Sequence, residues 1–216
     1  MQNLISVLGM VIKQEPVGEF DRKIVIMTRE KGKITVYARG ARRQNNRLMA
    51  ATNLFAFGEF RLFANPNSYS LSDASISNFF EEMRTDLEAS FYGLYFLEIT
   101  DYYCREGVTD TDMLKLLYQS LKALFVPQFT KDFVKTLFEI KAIMINGEFN
   151  GIPDNDGSLE GTRKAVRFLY DTPADKIYSF KLSDESFTEL RALADANMKD
   201  CGWKDFKSLE LIEGMK

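Results

Sequence analysis

The 216-residue chain has no histidine, one tryptophan, two cysteines and five prolines. Without histidine there is no Ser/His or Cys/His pair to run nucleophilic catalysis and no imidazole to ligate a metal. Cys104 and Cys201 lie far apart in sequence and make no disulfide framework, so a reducing cytosol is the natural compartment. They also leave too few sulfur ligands for a structural zinc site, and no metal or other cofactor is expected. No apolar run approaches the roughly 20 residues that span a bilayer. The apolar stretch 4–12 is preceded by Gln2 and Asn3, which supply no positive n-region, and no small-residue cleavage site follows. It reads as a strand rather than a signal peptide, and no membrane association is expected.

What is present is the composition of an ordinary folded protein, 45% hydrophobic and 27% charged. The net charge of −3 conceals an asymmetry. Residues 1–80 hold 11 Lys and Arg against 6 Asp and Glu, whereas residues 81–216 hold 17 against 25. The excess concentrates between residues 29 and 47, where Arg29, Lys31, Lys33, Arg39, Arg42, Arg43 and Arg47 face Glu30 alone. Arginine forks hold phosphates bidentately, so such a cluster suits a polyanion. The plainer reading is a solvated basic hairpin and loop.

Short β-branched and apolar runs predict strands at 6–13, 22–28, 34–38, 55–63 and 69–76. Turns are expected at Glu15-Pro16-Val17-Gly18, at Glu30-Lys31-Gly32-Lys33 and at Asn65-Pro66-Asn67-Ser68. Five strands with a pause after the third is the strand count of an OB-fold; an SH3-like barrel has a similar count. From Phe79 onward the period becomes helical. An apolar stripe runs over 79–104, Asp110 or Thr111 caps a second helix ended by Pro127, and 130–146 gives a third. A further helix starts at Ser158 or Thr162 and runs to Tyr170, 176–182 is extended, and 183–201 is a long helix closed by Gly202, with an apolar tail that docks. The fold class is α+β, an N-terminal five-stranded OB-fold barrel over 1–78 followed by an all-helical domain over 79–216.

Two acidic pairs raise the question of metal chemistry. Asp154, Asp156 and Gly157 resemble part of a calcium loop, but aligning the glycine puts Ile152 at the first ligand position and Arg163 at the bidentate-glutamate position. A nuclease built on Asp110 and Asp112, or on Asp154 and Asp156, lacks an accompanying base, nucleophile or phosphate loop. Acids at a helix start complement the dipole, and the chain is not read as an enzyme.

The blocks Gly9-Met-Val-Ile-Lys, Gly18-Glu-Phe-Asp-Arg-Lys-Ile, Thr28-Arg-Glu-Lys-Gly-Lys and Ala38-Arg-Gly-Ala-Arg-Arg resemble, in order, those of the bacterial DNA-repair protein RecO family. The similarity continues through Phe138-Glu-Ile-Lys, Ser179-Phe-Lys and Lys207-Ser-Leu-Glu. The resemblance implies an OB-fold followed by helices, and a recombination mediator that binds single- and double-stranded DNA and anneals complementary strands. Such a mediator helps load the recombinase RecA onto DNA coated by single-strand-binding protein. It implies as partners RecR, the acidic C-terminal tail of single-strand-binding protein and RecF, and a cytoplasmic, nucleoid-associated location. The alternative is a helical interaction scaffold that docks that tail and RecR with only incidental DNA contact. Many family members carry a four-cysteine zinc module after the helix corresponding to 130–146; this chain has a short acidic loop there.

The family motif points to Arg39, Arg42 and Arg43 as phosphate ligands, with Lys33 and Arg47 as neighbours and Arg22 and Lys23 at the start of the second strand. Tyr37, Phe55, Phe57 and Tyr69 are the candidates for base stacking, which OB-folds add to phosphate contacts.

Overall fold

The computed structural model describes residues 3–65, 68–152, 157–202 and 206–215. The turn expected at Pro66–Asn67 and the acids Asp154 and Asp156 lie outside the described residues. Five strands, β1 (Asn3–Val17), β2 (Asp21–Thr28), β3 (Gly32–Ala38), β4 (Phe57–Asn65) and β5 (Ser68–Asn78), form a closed barrel in the order β1-β2-β3-β5-β4. β1 pairs antiparallel with both β2 and β4, and β3 meets β5 in parallel through Val36↔Tyr69 and Tyr37↔Ser70. This is the five-stranded OB-fold, and it settles the choice against an SH3-like barrel.

Alternation explains the barrel interior. Ile24 and Ile26 of β2, Ile34, Val36 and Ala38 of β3, and Phe60 and Leu62 of β4 all point inward and are buried. Each large apolar side chain sealed in this way stabilises by about 1.5–3 kcal/mol. A four-residue helix, α1 (Leu48–Ala51), stands between β3 and β4 and adds Leu48 to the same core.

Two of the differences from the expected strand boundaries have a clear backbone cause. β1 runs on through Pro16, which pairs with Arg22; β4 has by then left β1, its ladder ending at Met10↔Phe57, so the missing proline N–H faces no partner strand. β4 begins at Phe57 rather than Phe55, because Phe55 has a left-handed backbone (φ 70°) and is buried, its N–H donating to the Val11 carbonyl at 3.0 Å.

The chain divides into two compact units, one made of residues up to Thr85 with Thr100–Leu114, the other of Asp86–Ile99 with the residues from Lys115 on. The stripe at 79–104 is interrupted: Phe80 is left-handed, Glu81–Arg84 is a single 3-10 turn, and α2 spans Leu87–Tyr103. α3 (Thr111–Ala123) starts at Asp110, whose carboxylate accepts the Met113 N–H at 2.9 Å, so this acid is a cap.

In the second unit α4 (Lys131–Ile145), capped by Thr130, is buried on nearly every side, with Phe138 stacked on Phe96 at 4.2 Å between ring centroids. α5 (Glu160–Asp171) and α6 (Asp184–Asp200) pack on α4. The apolar tail expected to dock forms a helix, α7 (Lys207–Glu213), held by buried Ile212 and by the Ser208 N–H donating to Glu98 at 3.1 Å. Two charged groups of α4 are interior. Glu139 accepts from the Tyr95 hydroxyl and pairs with Lys135, both at 2.7 Å, and burial pushes its carboxyl above the usual range. Lys141 donates to the carbonyls of Leu169 and Thr172 at 2.6 and 2.8 Å, closing the C-terminus of α5.

Candidate nucleic-acid interface

The basic segment after β3 is a folded loop. Gly40 takes φ 65°, its N–H donates to Asp21 at 2.7 Å, and its carbonyl accepts from the Asn46 side chain at 2.8 Å. Successive turns bond the Arg43 N–H to Gly40 and the Asn46 N–H to Arg43. The loop is also tied to the tip of the β1–β2 hairpin: the Arg42 N–H donates to the Phe20 carbonyl at 2.9 Å, and Arg42 Nη1 donates to the Gly18 carbonyl at 3.2 Å. The Arg43 guanidinium lies over the Phe20 ring at 4.9 Å.

Six of the seven cations between 29 and 47, all but Lys31, separate into two classes. Arg29 pairs with Glu30 at 2.7 Å, Lys33 with Asp101 at 3.0 Å and Arg47 with Asp73 at 3.3 Å. Arg39, Arg42 and Arg43 are exposed, and among the described residues none of them is ion-paired to a carboxylate. Asp101 is held by two lysines, since Lys13 reaches its other oxygen at 2.6 Å. Burial pushes the Asp101 carboxyl up, but the hydrogen bonds and charges of Lys13 and Lys33 outweigh this and hold it below the ordinary value.

Two further cations from the sequence reading are engaged elsewhere. Arg22 Nη1 donates to Thr52 at 2.9 Å and Asn53 at 3.0 Å, pinning the end of α1 to β2. Burial, and then the nearby charge of Arg42, lower its pKa. Lys23 pairs with Glu15 at 2.9 Å on the outer face of the ribbon.

The four aromatic candidates fare unequally. Tyr37 is 38% exposed and stands on the outer face of β3, directly across from Lys23. Phe55 is 8% exposed with a left-handed backbone, and so has little face to offer a base. Tyr69 packs against the barrel core beside Val36, and Phe57 is half-buried at the start of β4. The aromatic that sequence reasoning passed over is Phe20, 40% exposed at the hairpin tip. The available signal was a large apolar residue in a turn, where small and polar residues are the rule.

A family model described as Recombination protein O N terminal matches residues 1–80. A protein named DNA repair protein RecO from Acetivibrio thermocellus is 26% identical over 98% of this chain and 97% of its own length. One of the same name from Clostridium perfringens is 26% identical over 99% of each chain. The chain belongs to the RecO family. A third RecO, from Symbiobacterium thermophilum, is 33% identical over 67% of this chain and 57% of its own. The segment matched to the RecO family model contains all five strands and the whole Arg39–Arg47 loop, while the near full-length similarity to RecO relatives takes in the helices as well.

Proposed function

We propose that this RecO-family DNA-repair protein is a recombination mediator that grips single- and double-stranded DNA by the phosphate backbone through Arg39, Arg42 and Arg43. The observation that carries the reading is the exposure of these three guanidinium groups, without carboxylate partners among the described residues, on a loop tied to the first hairpin of an OB-fold. OB-folds use the face of their second and third strands with the loops after the first and fourth strands for oligonucleotides, and the arginine loop is bonded to the first of these. Phosphate neutralisation releases counterions and carries no sequence information. A sequence-blind grip of this kind lowers the repulsion between two strands and lets them search for register, which is annealing without covalent chemistry. RecR, RecF, RecA and the acidic tail of single-strand-binding protein are the partners proposed from the family, and the cytoplasm is the compartment.

The test is a salt titration of single-stranded DNA binding. Replacing Arg39, Arg42 and Arg43 together with Ala reduces the slope of log affinity against log salt by about 2, from roughly 0.7 per phosphate on a single strand. An unchanged slope overturns the assignment.

A second reading makes the helical unit the main actor, docking the acidic tail while DNA contact is incidental. It is favoured by a groove between the start of α4 and the start of α6, where Phe129, Phe133 and Phe187 line an apolar floor and Lys181 and Asp184 stand on its wall with one charge of each sign. Tail-peptide binding that survives the triple arginine substitution, combined with an unchanged DNA-binding slope, supports this second reading.

A further inference from the structure

We infer that Phe20, together with the Arg43 guanidinium laid over its ring, is a stacking platform for a nucleobase. The inference rests on the phosphate-binding reading of the arginine loop and adds to it a contact that senses bases rather than backbone.

Among the described residues Phe20 is not part of the barrel core. It is 40% exposed and stands apart from the cluster that fills the barrel, in a turn that already has Gly18 at φ 55° to reverse the chain. An exposed phenyl ring at a hairpin tip leaves apolar area in water that a polar turn residue would not.

Its position is nonetheless fixed. The Phe20 carbonyl accepts the Arg42 N–H, the Gly18 carbonyl accepts from the Arg42 side chain, and the Asp21 carboxylate receives the Gly40 N–H, so three bonds join the hairpin tip to the loop that carries the exposed arginines. A ring held this way loses little conformational entropy when a ligand settles on it.

The chemistry of the pair selects the ligand. A guanidinium over a phenyl ring presents a flat, weakly hydrated, delocalised surface beside a π-face, and both are surfaces on which unpaired bases stack whatever their identity. The same loop supplies Arg39 and Arg42 for the flanking phosphates, so backbone and base can be held at once. Tyr37, 38% exposed on β3, is a second aromatic in the same barrel unit. A paired duplex keeps its bases stacked internally and cannot use the platform, so single strands gain from it and duplexes do not.

The experiment compares Phe20→Ala, Phe20→Leu and Phe20→Trp with the parent chain, using a single-stranded oligonucleotide and an abasic oligonucleotide of equal length at one salt concentration. Base–aromatic stacking of ordinary strength predicts that Phe20→Ala weakens binding of the normal strand about 5- to 150-fold. Binding of the abasic strand and the salt slope stay as in the parent. Phe20→Leu fills similar space without a π-face and fails to restore affinity, whereas Phe20→Trp retains it, which separates stacking from a packing defect. Equal losses on normal and abasic strands, or no loss on either, overturn the inference. So does unchanged DNA binding with loss of a protein partner, which would assign the ring to a protein interface. Failure here leaves the arginine-dependent salt slope standing, whereas a failed phosphate reading appears as an unchanged slope in the triple arginine variant.

Discussion

The two ends of the β2–β3 ribbon carry similar charge in the sequence and opposite fates in the fold. At the turn end, Lys33 donates to both the carboxylate and the backbone carbonyl of Asp101, Lys13 takes the other carboxylate oxygen, Thr35 bonds Glu106 and Arg29 bonds Glu30. The segment 100–108 thus lies against this end as an acidic strap, joined by bridges from Glu106 to Gly32 and Lys33. At the other end Arg42 donates to the Gly18 carbonyl, Arg43 lies over the Phe20 ring, and among the described residues neither they nor Arg39 is ion-paired to a carboxylate. Cation density in a sequence therefore marks a candidate face, and the carboxylates brought in by the rest of the chain decide which part of it remains open to phosphate.

The strap is most sharply broken at Gly32. This residue holds φ 63°, and a Cβ placed on it would stand 1.8 Å from the Val108 carbonyl oxygen. The left-handed conformation alone costs an alanine about 1–2 kcal/mol, and displacing backbone adds overpacking of similar size. Gly32→Ala is expected to lower stability by about 3 kcal/mol in urea denaturation while the folded fraction keeps the parent salt slope, since the open end is untouched. A slope that falls in parallel would mean that the two ends are not independent.

Asp101→Asn tests the same end through charge. Removing the charge leaves Lys13 and Lys33 without their shared anion, although Lys33 keeps the backbone carbonyl, a loss of about 1–3 kcal/mol. Because the folded pKa of Asp101 lies below its ordinary value, its contribution is complete above about pH 4 and disappears as pH falls through the lowered pKa. The acid limb of the stability profile should therefore be shallower in Asp101→Asn than in the parent. The freed lysines should also steepen the salt dependence of DNA binding, by about 0.7 for each one that finds a phosphate. A steeper slope would identify the strap as a cover on latent phosphate sites; an unchanged slope would make it purely structural.

The sequence made the barrel legible where alternation is strict, as in Ile24, Ile26, Ile34 and Val36, and made the helices legible where caps are explicit, as at Thr130 and Ser183. It misled at Phe55, whose place in an alternating aromatic run hides a left-handed turn residue, and at Pro16, whose usual role as a strand breaker is relaxed where β1 has a partner on one side only. The arginines were readable as a cluster, but their sorting was not. Arg22 is consumed by Thr52 and Asn53, and Lys33 by Asp101, 68 residues away in sequence. Phe20 escaped notice for the converse reason: its interest arises only once Arg43, remote in sequence, lies over its ring. Local pattern encodes faces and caps, whereas the state of a surface charge depends on partners that only the closed fold supplies.

The mildest probe lies on the face between the two ends. Glu15 and Lys23 form an exposed pair at 2.9 Å, with Tyr37 next across the ribbon from Lys23. The hydrogen bond and charge of Lys23 lower the Glu15 pKa, and the same contact raises that of Lys23. Both shifts describe an interaction that water already screens, so Glu15→Gln should leave the melting temperature unchanged within error. Its effect should appear in binding instead. With the carboxylate gone, Lys23 no longer has a competing anion beside the path from Tyr37 to the arginine loop, and the salt slope should rise by at most about 0.7, the value of one single-strand phosphate contact. A rise would extend the open end of the ribbon as far as Lys23. No change would place its boundary at Arg39, and would mean that the exposed ion pair, like the strap at the other end, marks where the strand does not run.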